Sequence, residues 1–373
     1  MPQPITHLLL ERKVLGNFLG DAVHQGDIYR EEWTSFGQDI FYVKDIIRHT
    51  HPQRYNVVSD TFHWDGSYDE FCSELDILKS KRNEDRDGSQ KTDLDQLGAD
   101  IYRRYLHAVG DLIFHPFVYR AAKDHWRNHP SHEYRRHKVI ESIIDAYLLD
   151  VLEGTNPYEF RYNDHSMRPH TSLELDDNLF EVVNSGIKLA YGKSGIFAAN
   201  GVDYEKYFGR YSSDDPNHPL RDAYRDFIFY TELLFAFHKP LRHISGLDCL
   251  VPLEKINDDQ IRLMNQDRKQ WYLSDNPEMP RYSVLELLNL AVKVGTKIVQ
   301  ASERFLASDF AISHDFFAIH ANNVVYLGQN FNLDTGLPSS ENLALVKLAT
   351  IDETLRYGVD MLAANYKTIE NYV

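Results

Sequence analysis

Cysteine is almost absent from this chain: two residues in 373, Cys72 and Cys249, in unrelated contexts. Two isolated thiols support neither a disulfide framework nor a cysteine-type zinc site, and a reducing, cytoplasmic compartment suits them best. There is no long uncharged apolar run and the mean hydropathy is −0.47, so no transmembrane segment is expected. The start lacks a basic stretch followed by a long apolar core. "ITHLLL" is short and meets "ERK" at once, so it reads as mature protein rather than a signal peptide. Positive charge is in deficit, with 40 Lys and Arg against 56 Asp and Glu, for a net charge of −16. A surface of that sign repels a phosphate backbone, and no nucleic-acid partner is expected. "KSKRNEDRDGSQK" mixes both signs and reads as a solvated loop. Internal repeats and strand-like alternation are also missing.

What is present is helical periodicity. It predicts helices in "HLLLERKVLGNFL", in "YDEFCSELDILKSK" and from Asp95 onward, with an end or kink at Pro116. Further helices are expected in "SHEYRRHKVIESIIDAYLLDVLEG", with Gly154 as the stop, and in "PLRDAYRDFIFYTELLFAFHKPL". "YSVLELLNLAVKVGTKIVQASERFL" and "SENLALVKLATIDETLRYGVDMLAANY" complete the set. Residues 81–94 and 155–172 read as loops, and 194–219 as irregular. The expected fold is all-α, a multi-helix bundle in one domain. Its core spans about 1–152, an insertion about 155–215 and C-terminal helices about 216–373.

"YLHAVGDLIFHPFVYR" places His107, Asp111 and His115 four apart in apolar sequence. On a helix these share one face on successive turns, and Asp111 has two oxygens with which to bridge two ions. His137 and Glu141 in "RRHKVIES" repeat the spacing on the next helix. Neutral imidazole and carboxylate suit zinc and similar divalent ions. The plainer alternative is a set of polar residues with private hydrogen-bond partners. An unpaired buried carboxylate is costly, however, so Asp111 needs a cation or several donors.

The same stretches resemble the zinc-dependent phospholipase C family, whose signature is His-x3-Asp, a His-Pro step, then His-x3-Glu on the following helix. "MPQPITH", "FGQDIFY", "TFHWDGSYDEF", "NQDRKQWYLSDNPEMPRYSVLELL" and "NFNLDTGLPSSENLA" are similar, in the same order, to motifs of its intracellular bacterial members. Gln38 stands where the family usually has proline. The resemblance implies a first metal on Asp39, His63, His107 and Asp111. It implies a second on His115, His137 and Glu141, and a third on His7 with Asp111 bridging. In secreted relatives a free N-terminal amine completes the third site. Here Met1 would have to be removed for Pro2 to take that part. Each transferred residue has a plainer role: His7 packing a turn, Asp39 capping a helix, His115 bonding a broken helix end. His49 and His51 compete with His63, which is favoured.

The resemblance thus implies two or three zinc ions, with other divalent metals as alternatives, and hydrolysis of a phospholipid or a small phosphate ester through a metal-bound hydroxide. Asp39 would orient or deprotonate the water. The runner-up is a zinc-dependent nuclease, which the negative charge disfavours. A third alternative is a binding protein that keeps the fold without the catalysis. An HD-type phosphohydrolase is disfavoured, because His314–Asp315 is the only adjacent His-Asp pair and lacks companion motifs. The sequence leaves the headgroup and the oligomeric state open.

Overall fold

The structure is a computed structural model that describes residues 4–19, 28–42, 55–125, 133–160, 175–192, 197, 202–241, 243, 251–268, 282–321, 324–333 and 339. Among these the protein is all-α, with no β-strand. The principal helices are α1 (Pro4–Leu19), α2 (Ile28–Ser35), α3 (Asn56–Trp64), α4 (Ser67–Glu84), α5 (Lys91–His125), α6 (Glu133–Glu153), α7 (Asp177–Tyr191), α8 (Pro219–Ala236), α9 (Asp258–Leu263), α10 (Val284–Leu306) and α11 (Ser313–His320). A 3-10 turn, Gly37–Asp39, follows α2. No described helix is long and apolar enough to cross a membrane.

The fold is organised around α5. Its 35 residues span about 50 Å at 1.5 Å per residue. Every residue from Leu97 to Val118 is buried. Helices α1, α2, α4, α6, α7 and α10 and the 3-10 turn all pack on it. A helix enclosed on every side has no solvated face. Its polar residues Asp100, Arg103, Arg104, His107, Asp111 and His115 must therefore be satisfied inside the protein.

The structure differs from expectation at several boundaries. Helix α5 starts at Lys91 and runs through Pro116 to His125. Proline removes one helical hydrogen bond and crowds the preceding turn, at about 3 kcal/mol. Burial of Phe117, Val118, Ala121 and Ala122 beyond it offsets that cost. Because α4 continues to Glu84, the loop before α5 is confined to residues 85–90. Helix α7 lies inside the expected insertion of about 155–215, where the sequence pattern predicts no helix. Its start is capped by Asp176, whose side chain accepts from Leu179 N–H; it packs along α4 and buries Leu179, Phe180, Val183 and Ile187. One π-helical turn, Glu205–Gly209, buries Tyr207 and Phe208 within the stretch read as irregular. Helix α6 ends where Gly154 adopts φ +63°, as its sequence position predicts. Pro2, His49, His51, Cys249 and the helix expected over 340–366 lie outside the described residues.

Candidate metal centre

Five segments carry the eight candidate ligands into the core beside α5. Helix α1 brings His7, the 3-10 turn Asp39, α3 His63, α5 His107, Asp111 and His115, and α6 His137 and Glu141. All eight side chains are buried. The close approach depends on two glycines. At Gly37, φ is +46° and a Cβ atom would stand 2.8 Å from the His107 side chain. At Gly110, a Cβ atom would meet His7 Nδ1 at 2.7 Å.

Asp111 is the hub. Its Oδ2 lies 3.1 Å from His107 Nε2 and 3.4 Å from His63 Nε2. Its Oδ1 lies 3.2 Å from His115 Nε2 and 3.4 Å from His7 Nε2. One carboxylate thus divides four imidazoles into two pairs. Asp39 Oδ1 sits 2.9 Å from His63 Nε2. Glu141 Oε1 sits 2.5 Å from His137 Nε2 and 3.7 Å from His115 Nε2. Three groups have ligand atoms mutually within 4.8 Å: Asp39, His63 and His107; His7, His107 and Asp111; and His115, His137 and Glu141. His7 and His107 stack with ring centroids 4.1 Å apart.

These residues fit divalent cations on three counts. The Nδ1 atoms of His63 and His107 lie 2.8 Å from the carbonyl oxygens of Ser59 and Ser35. A carbonyl only accepts, so each Nδ1 carries the proton and each Nε2 lone pair is turned to the cluster, the tautomer a metal requires. His107 Nε2, Asp111 Oδ2 and Glu141 Oε1 are buried yet make no well-directed hydrogen bond, despite their close neighbours. Finally, two atoms bound tetrahedrally to one zinc ion at about 2.1 Å stand about 3.4 Å apart. The four Nε2–Asp111 separations, 3.1–3.4 Å, lie within a few tenths of that spacing.

The local field keeps the two central acids charged. Burial alone would raise the Asp111 pKa, but His115 and His107 outweigh it and hold it well below the carboxylate range. Burial likewise opposes ionisation of Glu141, and His137 and Lys138 outweigh it. Burial, aided by His107, lowers the pKa of His7 and favours the neutral imidazole. The ionised carboxylates and the neutral His7 imidazole belong to the donor set of a divalent ion, whose charge would take the place of the protons on the other imidazoles.

A layer of buried polar contacts supports the ligands. The Asp145 carboxylate accepts from the N–H of Thr6 at 2.9 Å and from its hydroxyl, clamping the first turn of α1 beside His7. The Ser35 hydroxyl donates to Glu11, whose pKa burial pushes well up. Gln38 is buried, its side chain bonds Glu70, and its carbonyl accepts from Ser59 Oγ at 3.0 Å. Arg104 binds both Glu70 and Glu74, with Nε 3.1 Å from Glu74 Oε1. At the less buried edge, Tyr42 packs near His63 and Tyr119 packs on His137, with centroids 5.7 and 4.5 Å apart.

The structure therefore brings together all eight residues singled out from the sequence. Lys138 and Asp145 were missed, although Lys138 lies at the (i, i+3) spacing from Glu141 and Asp145 one turn beyond it. The Ser35 and Ser59 carbonyls have no sequence signal, because any residue supplies a carbonyl. The chain matches no family model, no curated protein and no solved structure.

Proposed function

We propose that the buried cluster is a two- or three-ion metal centre, with zinc as the leading metal, that hydrolyses a phosphate ester. The observation that carries the proposal is the division of Asp111, whose two oxygens each face two imidazole Nε2 atoms. A carboxylate bridging two sites is the arrangement multi-metal hydrolysis uses. The resemblance to zinc-dependent phospholipase C supplies the substrate class, a phospholipid or its soluble headgroup ester. A cytoplasmic setting goes with this reading, in keeping with the sparse cysteine.

When bound, the ions would neutralise the non-bridging phosphate oxygens and lower the pKa of a coordinated water from about 15.7 to about 7. The remaining work falls to the chain. Asp39, held 2.9 Å from His63, orients the attacking water and takes its proton on a carboxylate oxygen. The Ser35 and Ser59 carbonyls keep His107 and His63 in the ligating tautomer. Burial of all eight side chains excludes bulk water, which strengthens each electrostatic contact.

Elemental analysis of native protein, paired with a substrate panel at one salt concentration, tests this. At least two divalent ions per chain are expected. A chromogenic phosphocholine ester or a short-chain phospholipid should be cleaved faster than single-stranded DNA or RNA. Metal content near zero, unchanged after zinc is offered, overturns the metal centre. Cleavage of nucleic acid alone promotes the nuclease alternative, and inactivity on every ester promotes the non-catalytic one.

A further inference from the structure

Lys138 is a buried lysine with a specific position beside the cluster. Its side chain is 2% exposed, and Nζ donates to Glu141 Oε2 at 2.8 Å. On α6, His137 and Lys138 approach Glu141 from different sides, one four residues before it and the other three. The two carboxylate oxygens consequently face different partners. Oε1 lies toward His137 and His115, at 2.5 and 3.7 Å, without a well-directed hydrogen bond. Oε2 is committed to the ammonium.

We infer, on the basis of the metal centre proposed above, that Lys138 is a positioning residue that restricts Glu141 to one-oxygen ligation. Carboxylates bind cations through one oxygen or chelate them through both, and nothing in glutamate itself chooses between the two. An ammonium hydrogen-bonded to Oε2 decides the matter, because chelation would set a cation beside a cation in a low-dielectric interior. Among the described residues, His115, His137 and Glu141 then supply three donor atoms, and the shared Asp111 carboxylate, with Oδ1 3.2 Å from His115 Nε2, supplies a fourth. A zinc ion with four donors can expand to five-coordinate, and chelation through both Glu141 oxygens would fill that fifth position. Lys138 thereby reserves a coordination position for water or a substrate oxygen. The ammonium also withdraws charge from the ligand, so affinity is given up for a more electrophilic ion.

The test uses cobalt(II) in place of zinc, because its visible absorption falls in intensity as the coordination number rises above four. Wild type and Lys138→Met are loaded with cobalt, their spectra compared, and their affinities measured by chelator competition. Lys138→Met should absorb more weakly, through the added oxygen, and hold its most labile cobalt at least about tenfold more tightly. Lys138→Arg, which keeps a charged donor on Oε2, should return both values toward wild type. If Lys138→Met does not fold, Lys138→Gln is measured in its place. It is too short to keep Oε2 and carries no charge, so the same weaker spectrum and tighter binding are expected. A neutral variant that matches wild type in spectrum and affinity overturns the inference and leaves the metal centre standing. A wild-type protein that takes up no cobalt overturns the metal centre, and the inference with it.

Discussion

Gly110 lies directly against the His7 imidazole: a Cβ atom on Gly110 would stand 2.7 Å from Nδ1 and 2.8 Å from Cε1. Replacing an interior helical glycine by alanine normally stabilises a helix by about 1 kcal/mol. Here the methyl group occupies the space of the ring, and α1 is pinned by the Thr6–Asp145 contacts so that it cannot withdraw freely.

Gly110→Ala is therefore expected to displace His7 and lose one ion per chain while retaining the ions held farther along α5. His7→Ala should give the same stoichiometry. Elemental analysis of the two variants beside wild type checks this. Full metal content in both would remove His7 from the ligand set.

Asp111 and Asp39 should separate metal binding from turnover. Asp111 contacts four imidazoles, so Asp111→Asn weakens every site that shares it, and metal and ester hydrolysis should fall together. Asp39 Oδ1 lies 2.9 Å from His63 Nε2, in the group it forms with His63 and His107. Asp39→Asn should keep most of the metal and lose turnover by about 10²-fold or more, the scale of a removed general base. Equal metal loss in both variants would assign Asp39 as a ligand only, and wild-type hydrolysis in both would refute both roles.

Glu74 should make stability fall as pH rises. Burial pushes its pKa from 4.5 up to about 8, with Arg104 opposing the shift. Between those values the folded chain holds a proton that the unfolded chain has released. Stability from this group is complete below the unfolded value and disappears as pH climbs through about 8. In Glu74→Gln, the decline in unfolding free energy between about pH 5 and pH 8 should become shallower, by up to about 1.4 kcal/mol per pH unit. Denaturant titrations of both proteins across that range provide the check, and parallel slopes would show that Glu74 ionises normally.

The sequence by itself determined the all-α class, and it determined that His107, Asp111 and His115 share a helix face, as do His137 and Glu141. Both follow from local physics: helical periodicity is written in neighbouring residues, and a four-residue step always returns to the same side. It also made burial of Asp111 foreseeable, because the surrounding residues are apolar. His7, Asp39 and His63 became candidates through resemblance, since no periodicity links positions 7, 39 and 63 to position 111. Only the tertiary structure decided that α1, the Gly37–Asp39 turn, α3 and α6 converge on one face of α5. That convergence depends on glycines that admit the imidazoles and on buried carboxylates such as Asp145 that anchor the segments. Continuation of α5 past Pro116 was likewise a tertiary outcome, because the side chains that stabilise it bury themselves against other parts of the fold. Which oxygen of Glu141 meets Lys138 and which meets His137 was decided at that level too: spacing brings residues near each other, and packing orients their atoms.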